Sequence, residues 1–417
     1  MSNISASIIT IGDELLIGQT LDTNSAWIAK ALNNIGIDVL RRVAVGDDAV
    51  AIRRALDEEL LQAGIVLITG GLGPTADDIT KPFLCDYFGA KLVVDERVLS
   101  HVKELFVQRN RPFLERNLKQ AEVPDNCTVL HNRIGTAPGM WFEKEGKVII
   151  SMPGVPFEMT AIMEDEVLPR LRHHFVSDAL LHVTLITSGE GESFIAEKIQ
   201  DLEAALPGHI KLAYLPSPGV VKLRLTGRGD NAEALMQELK MRQEEIANRL
   251  ENIVIAMEDM PMEYILGKTL MHIGATLGLA ESCTGGYLAH LITQVQGASQ
   301  YFKGSIVCYQ NEIKERILGV EKGIIEQYGV VSEETATAMA KSALTALNCD
   351  NSLSITGLLS PGVYDSPIPV GTVWMAVADK EKIRTKKFRF HYDRHLNKEL
   401  AVQMGMLMIW KFLNNKI

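Results

Sequence analysis

Four apolar residues, Ile65-Val66-Leu67-Ile68, run directly into Thr69-Gly70-Gly71-Leu72-Gly73-Pro74-Thr75-Ala76-Asp77-Asp78-Ile79-Thr80. A short apolar run closed by glycines predicts a strand buried on both faces, which belongs to a sheet covered by helices. The flanking segments agree. Residues 6–11 and 39–45 are strand-like, and 24–35 and 49–63 have helical spacing. Alternation of this kind argues a parallel α/β sheet. Helix entry is expected at Pro74-Thr75. Glycines that admit a ligand to the backbone, followed by unpaired helix N–H groups, make a surface for phosphate or another anion. A second polar glycine turn, Glu281-Ser282-Cys283-Thr284-Gly285-Gly286, lies about 200 residues further on. Two such turns predict two small-molecule sites.

The rest of the chain sorts into three segments. Residues 147–151 are a further strand, and 157–175 are expected as one closing helix. Between about 176 and 256 the order is strand, helix, strand pair, helix: 180–187, 192–206, 210–214 with 220–226, and 232–250. That order fits a small α+β module. Alternation of α and β returns from about 260. The expected domains are 1–172, 176–256 and 260–417. With 417 residues there is length for several cores. A net charge of −10 with no long basic run argues against nucleic-acid or anionic-membrane partners. No run of 18 apolar residues predicts a membrane span, and the first residues lack the basic start of a signal peptide. Five dispersed cysteines without a C-x-x-C pair suit reduced thiols in a cytoplasm.

In an open α/β sheet, ligands sit at the carboxyl ends of the strands. Asp13, Glu14, Asp22, Asn24, Asp77 and Asp78 would then gather near the first glycine turn. Carboxylates beside a phosphate call for a divalent cation with oxygen ligands, such as Mg²⁺ or Mn²⁺. A plainer reading stays open: Asp77 and Asp78 as first-turn acids, Asp22 or Asn24 as a helix cap. Near the second turn, Ser299, Tyr309 and Lys314 lie within sixteen residues. A lysine with a burial-lowered pKa can take a serine proton while a tyrosine relays it. Singly, each has an ordinary role as cap, core aromatic or solvated lysine. A rival set is Glu281, Cys283 and Lys314, although a packed, unreactive cysteine is the commoner case.

The 69–80 turn resembles the G-G-x-G-x-x-x-x-D-x-T signature of the molybdopterin-binding fold. Ile11-Gly12-Asp13-Glu14-Leu15-Leu16-Ile17-Gly18, Asp22-Thr23-Asn24-Ser25, Gly135-Thr136-Ala137-Pro138-Gly139-Met140 and Met152-Pro153-Gly154-Val155-Pro156 resemble its CinA (competence/damage-inducible) variant. The middle segment is similar to that family's KH-like insert. Segments 280–286, 304–314, 329–333, Thr356-Gly357 and 369–374 resemble the nicotinamide-nucleotide amidase domain that ends CinA proteins.

The resemblance implies three domains: a molybdopterin-binding-like α/β domain, a KH-like α+β insert and an α/β amidase domain. It implies hydrolysis of the carboxamide of nicotinamide mononucleotide to nicotinate mononucleotide and ammonia, in pyridine nucleotide salvage, with no cofactor needed for that step. Carried over, Ser299 is the nucleophile with Tyr309 and Lys314 as activators. Ser282, Thr284, Gly285, Gly286, Asn311, Thr356, Gly357 and Arg394 are on the binding side. For the N-terminal domain it implies ADP-ribose pyrophosphatase activity with Mg, Mn or Co. Gly70, Gly71 and Gly73 would take the diphosphate, and Asp13, Glu14, Asp77 and Asp78 the metal. The expected assembly is a cytoplasmic homodimer. The alternatives are a non-catalytic nucleotide-binding regulator linked to competence, and binding of a molybdopterin-type ligand. One departure stands out. The family loop T-G-I-A-G-P-G-G reads Thr356-Gly357-Leu358-Leu359-Ser360-Pro361-Gly362-Val363 here. Bulk at Leu359 and Val363 is expected to narrow the approach to a phosphate.

Overall fold

A computed structural model of the chain describes residues 4–73, 75, 78–175, 179–361 and 367–417, the side chains of 115 and 116 excepted. The chain forms two compact units. One is Met1–His182 with Gly208–Ile210 and Thr226–Leu239, and the other is Val183–Pro207 with Lys211–Leu225 and Lys240–Ile417.

The first unit carries strands β1 (Ser5–Ile11), β2 (Asp38–Val45), β3 (Ile65–Thr69), β4 (Leu92–Val94), β5 (Glu122–Pro124), β6 (Thr128–Leu130), β7 (Gly139–Lys144) and β8 (Lys147–Met152). Apart from the short antiparallel β4–β5 ribbon, they make one sheet in the order β2-β1-β3-β8-β7-β6. Along β3 the side chains alternate between two cores. Ile65 and Leu67 join one cluster, and Val66 and Ile68 join the other. Apolar packing on both faces explains the unbroken apolar run.

The expected parallel sheet is only partly parallel. β2, β1, β3 and β8 run parallel, whereas β7 is antiparallel to both its neighbours, β8 and β6. The cause is local. Lys144 pairs with Lys147 across Glu145-Gly146, both at positive φ (53° and 75°), a two-residue turn that folds β8 back on β7. The expected single helix over 157–175 is also interrupted. Pro156–Ile162 and Leu168–His174 are joined by a π-turn at Met163–Val167. Pro169 lacks the N–H that a regular helix would bond there.

Downstream, β9 (Ala179–Thr187), β10 (Ile210–Ser217), β11 (Val220–Gly229) and β12 (Val254–Ala256) form a sheet in the order β10-β11-β9-β12, accompanied by helices Glu192–Ala204 and Ala232–Arg249. This matches the expected α+β order. The second unit ends in a five-stranded sheet built from β13 (Leu277–Glu281), β14 (Phe302–Val307), β15 (Asn351–Gly357), β16 (Thr372–Ala378) and β17 (Ile383–Arg389). Its order is β14-β13-β15-β16-β17, parallel among the first three and antiparallel beyond. Both main sheets share one topological device. The chain leaves β1 to one side and returns on the other, and does the same around β13. Such a switch point opens a crevice at the carboxyl end of the central strand.

Candidate functional site

The turn after β13 opens on the switch point of the C-terminal sheet. Every residue of β13 is buried, and its last residue, Glu281, is fully so. The Glu281 carboxylate accepts five hydrogen bonds. Thr284 Oγ1 (2.8 Å), Gly286 N (3.1 Å) and Leu288 N (3.1 Å) reach one oxygen; Ala289 N (3.0 Å) and Ser305 Oγ (3.0 Å) reach the other. Helix Tyr287–Gln294 begins at Gly286, whose φ of 91° suits glycine and which offers no capping side chain. Glu281 supplies the cap from outside the helix, and its charge favours the helix N-terminus. The turn is thereby fixed from beneath. On its open side, Gly285 has no atom within 4 Å of where a Cβ would stand.

Lys314 is fully buried at the start of a π-helical turn, Lys314–Leu318. Its Nζ donates to Ser282 Oγ at 3.1 Å, to the Cys308 carbonyl at 2.7 Å and to the Tyr309 carbonyl at 3.4 Å. Burial pushes its pKa below the ordinary lysine value, which favours the free amine. A buried amine against a serine hydroxyl is the geometry of a serine nucleophile with a lysine base.

Ser299 is not part of this arrangement. It sits exposed in the 3₁₀ turn Ala298–Gln300, which precedes β14, whereas Lys314 follows β14. A six-residue strand spans about 20 Å, so the expected Ser299–Lys314 pairing is not formed and Ser282 stands in its place. The family resemblance puts Ser282 on the binding side, for its place in the turn. The signal for its other role was its position, as the first polar hydroxyl after a buried strand at a switch point.

Tyr309 turns its ring outward, 56% exposed, and its hydroxyl accepts from Arg394 Nη2 at 3.0 Å. Arg394 Nη1 also donates to Ser360 Oγ at 3.0 Å. Tyr309 therefore meets Lys314 through its carbonyl, and its hydroxyl joins Arg394 at the rim. Asn311 is exposed at the start of the short helix Asn311–Ile313. Thr284 is buried on Glu281. Thr356 is buried too and donates to the Val330 carbonyl at 2.7 Å. A Cβ on Gly357 would lie 2.8 Å from the Thr372 carbonyl oxygen.

Leu359 does not crowd the crevice as expected. It is buried in the core of this unit, while Ser360 meets Arg394. Gly362 and Val363 lie outside the described residues. The rival cysteine set is not assembled. Burial pushes the Cys283 thiol up to about 12, and the Glu281 oxygens are committed to the turn.

The N-terminal turn lies at the switch point between β1 and β3. A Cβ on Gly70 would collide with the Ile11 carbonyl oxygen, so glycine is required there by packing. The helix expected from 74–75 starts at Thr80 instead. Asp78 accounts for the delay. Its carboxylate accepts from Gly73 N (2.7 Å), Thr75 N (2.8 Å) and Thr75 Oγ1 (2.5 Å), closing a turn ahead of the helix.

The described members of the expected metal set do not converge. Asp13 Oδ1 accepts from Asp47 N at 3.2 Å, and Asp13 N donates to Asp47 Oδ2 at 3.1 Å. Glu14 is exposed, and Asp77 lies outside the described residues. Among the described residues, no group of three or more His, Cys, Asp or Glu side chains is placed to hold a metal ion. Asp13 and Asp78 accept from backbone amides instead.

A cleft of about 110 Å³ does open there, lined by Thr10, Glu14, Asp22, Asn24, Thr69 and Gly154 among others. Asn24 Nδ2 donates to the Gly154 carbonyl at 2.7 Å and to Thr69 Oγ1 at 3.2 Å, while its Oδ1 is buried without a partner. No helix among the described residues is long and apolar enough to cross a membrane.

Comparison with known proteins agrees with this architecture. Residues 7–173 match the family model "Probable molybdopterin binding domain", 182–256 match "Damage-inducible protein CinA KH domain", and 259–413 match "CinA C-terminal domain". A "CinA-like protein" of Cytophaga hutchinsonii is 46% identical over 100% of this chain and 99% of its own length. Those of Flavobacterium psychrophilum and Salinibacter ruber are 43% and 41% identical, over 98% and 97% of this chain and 98% of theirs in each case. Carrying these domain models in order, and matched along its whole length at up to 46% identity, this chain belongs to the CinA family.

Proposed function

We propose that the C-terminal site hydrolyses the carboxamide of nicotinamide mononucleotide, with Ser282 as nucleophile and Lys314 as its base. The observation that carries this reading is the 3.1 Å contact between a fully buried amine and the Ser282 hydroxyl in an open glycine turn. Lys314 takes the hydroxyl proton as Ser282 Oγ bonds to the carboxamide carbon. The Cys283 and Thr284 N–H groups, the amides of the turn not given to other acceptors, receive the charge that develops on oxygen. The C–N bond then breaks, and ammonia departs with the proton held by Lys314. Water, deprotonated by the same amine, cleaves the serine ester and releases nicotinate mononucleotide. Arg394, at the rim beside Tyr309 and Ser360, is suited to the substrate phosphate, because a guanidinium matches phosphate geometry.

The test is ammonia release from nicotinamide mononucleotide. Ser282→Ala and Lys314→Ala should each lower turnover by about a thousandfold or more, and the double variant should be little worse, because the two act as a unit. Ser299→Ala should stay within a few-fold of the unaltered protein. Loss of turnover in Ser299→Ala with retention in Ser282→Ala would overturn the assignment. Tight binding of the nucleotide without ammonia release would favour the regulator reading.

For the N-terminal cleft we propose a phosphate-bearing nucleotide of the ADP-ribose type. The orphaned Asn24 Oδ1 supports a polar ligand that donates a hydrogen bond. No metal step is assigned to it.

A further inference from the structure

A second cavity lies in the C-terminal unit, away from the Ser282–Lys314 contact. Its volume is about 500 Å³, within the range of small-molecule sites. Ile186, Ile255, Leu291 and Leu400 give it apolar walls, and Tyr287 contributes an aromatic ring. Three charged side chains reach it: Lys222, Glu263 and Glu399. Lys222 is engaged by Asp259 at 2.7 Å, and Glu399 faces His395 at 3.3 Å on the outer side of its helix. Glu263 differs from both. Only 9% of it is exposed, and it has no hydrogen-bond or ion-pair partner among the described residues. Close to Glu263, the Tyr301 hydroxyl is buried without a partner. Glu263 stands in the first turn of helix Met262–Ile273, where the helix dipole favours an acid, and its carboxylate lines the cavity with no cation paired to it among the described residues.

We propose that this cavity binds a small organic cation, an ammonium or similar group on an apolar body, with Glu263 as its counter-ion. Apolar walls with one buried acid select for that combination. A neutral molecule would leave the carboxylate unpaired, and an anion would be repelled. The place of the cavity gives the ligand an effect to exert. Tyr287 directly follows Gly286 of the catalytic turn, and Leu396 and Glu399 lie on helix Arg394–Leu413, whose first residue touches Tyr309. Binding itself does not depend on the amidase reading.

The test compares 2-phenylethylammonium with neutral 2-phenylethanol by titration calorimetry on the full chain. The cation should bind at least about tenfold more tightly. Glu263→Gln should remove that preference. Leu291→Trp, which fills the cavity, should weaken both probes. Equal binding of cation and alcohol, unchanged preference in Glu263→Gln, or binding that survives Leu291→Trp would each overturn the proposal.

Discussion

Replacing Glu281 by glutamine tests whether one buried carboxylate holds the catalytic turn. The shape is nearly unchanged, so the effect reports chemistry and not a cavity. The carboxylate accepts three hydrogen bonds on one oxygen and two on the other. A glutamine keeps one accepting oxygen and turns the other position into a donor. The least costly choice keeps the oxygen toward Thr284, Gly286 and Leu288. Its NH₂ then faces Ser305 Oγ, which can rotate to accept, and the Ala289 N–H, which cannot. One stranded backbone donor costs about 1–3 kcal/mol, and the other bonds lose their charge assistance, so about 3 kcal/mol in all is expected. At 1.4 kcal/mol per tenfold, exchange of the amides in this turn should quicken by about a hundredfold. Hydrogen–deuterium exchange read by mass spectrometry on peptides covering 282–292 measures this locally, without assuming that the whole chain unfolds in one step. Acceleration of less than about threefold in a folded Glu281→Gln protein would refute the reasoning.

Three further outcomes are expected. Lys314 lies below the ordinary lysine value of 10.5 in the folded protein. Turnover that needs its free amine should be lowest in acid and rise as pH climbs through the depressed value, levelling off before 10.5. In the same window the unfolded chain binds the extra proton, so stability should also rise with pH; Lys314→Met should abolish that rise, measured by thermal unfolding across pH. At the N-terminal cleft, Asn24→Ala should weaken ADP-ribose binding measured by calorimetry, with or without EDTA. Binding that collapses in EDTA would restore the carboxylates to a metal role.

Much of the fold was legible in the sequence because burial on two faces leaves an unmistakable apolar run. Strands 65–68 and 147–151, the helices at 49–63 and 192–206, and the α+β order of the middle segment needed nothing beyond period and glycine placement. The antiparallel β7 was less visible, because it depends on the backbone of two residues, Glu145 and Gly146. The break at the π-turn was signalled by Pro169.

The site divides along the same line. Sequence alone located the 282–286 turn and Lys314, since a glycine turn after a buried strand and a family pattern are both local features. Which serine meets the lysine was decided by the sheet. Ser299 is nearer to Lys314 along the chain, but β14 runs between them and carries them to opposite ends, while the parallel pairing of β13 with β14 brings Ser282 to the lysine. Carboxylates behaved likewise. Asp13, Asp78 and Glu281 read in sequence as candidates for metal or catalysis, and the fold spends all three on amides that turns and helix ends leave unpaired. Composition and period fix where a strand is buried. Only the tertiary structure decides which polar groups remain free once the backbone has taken its share.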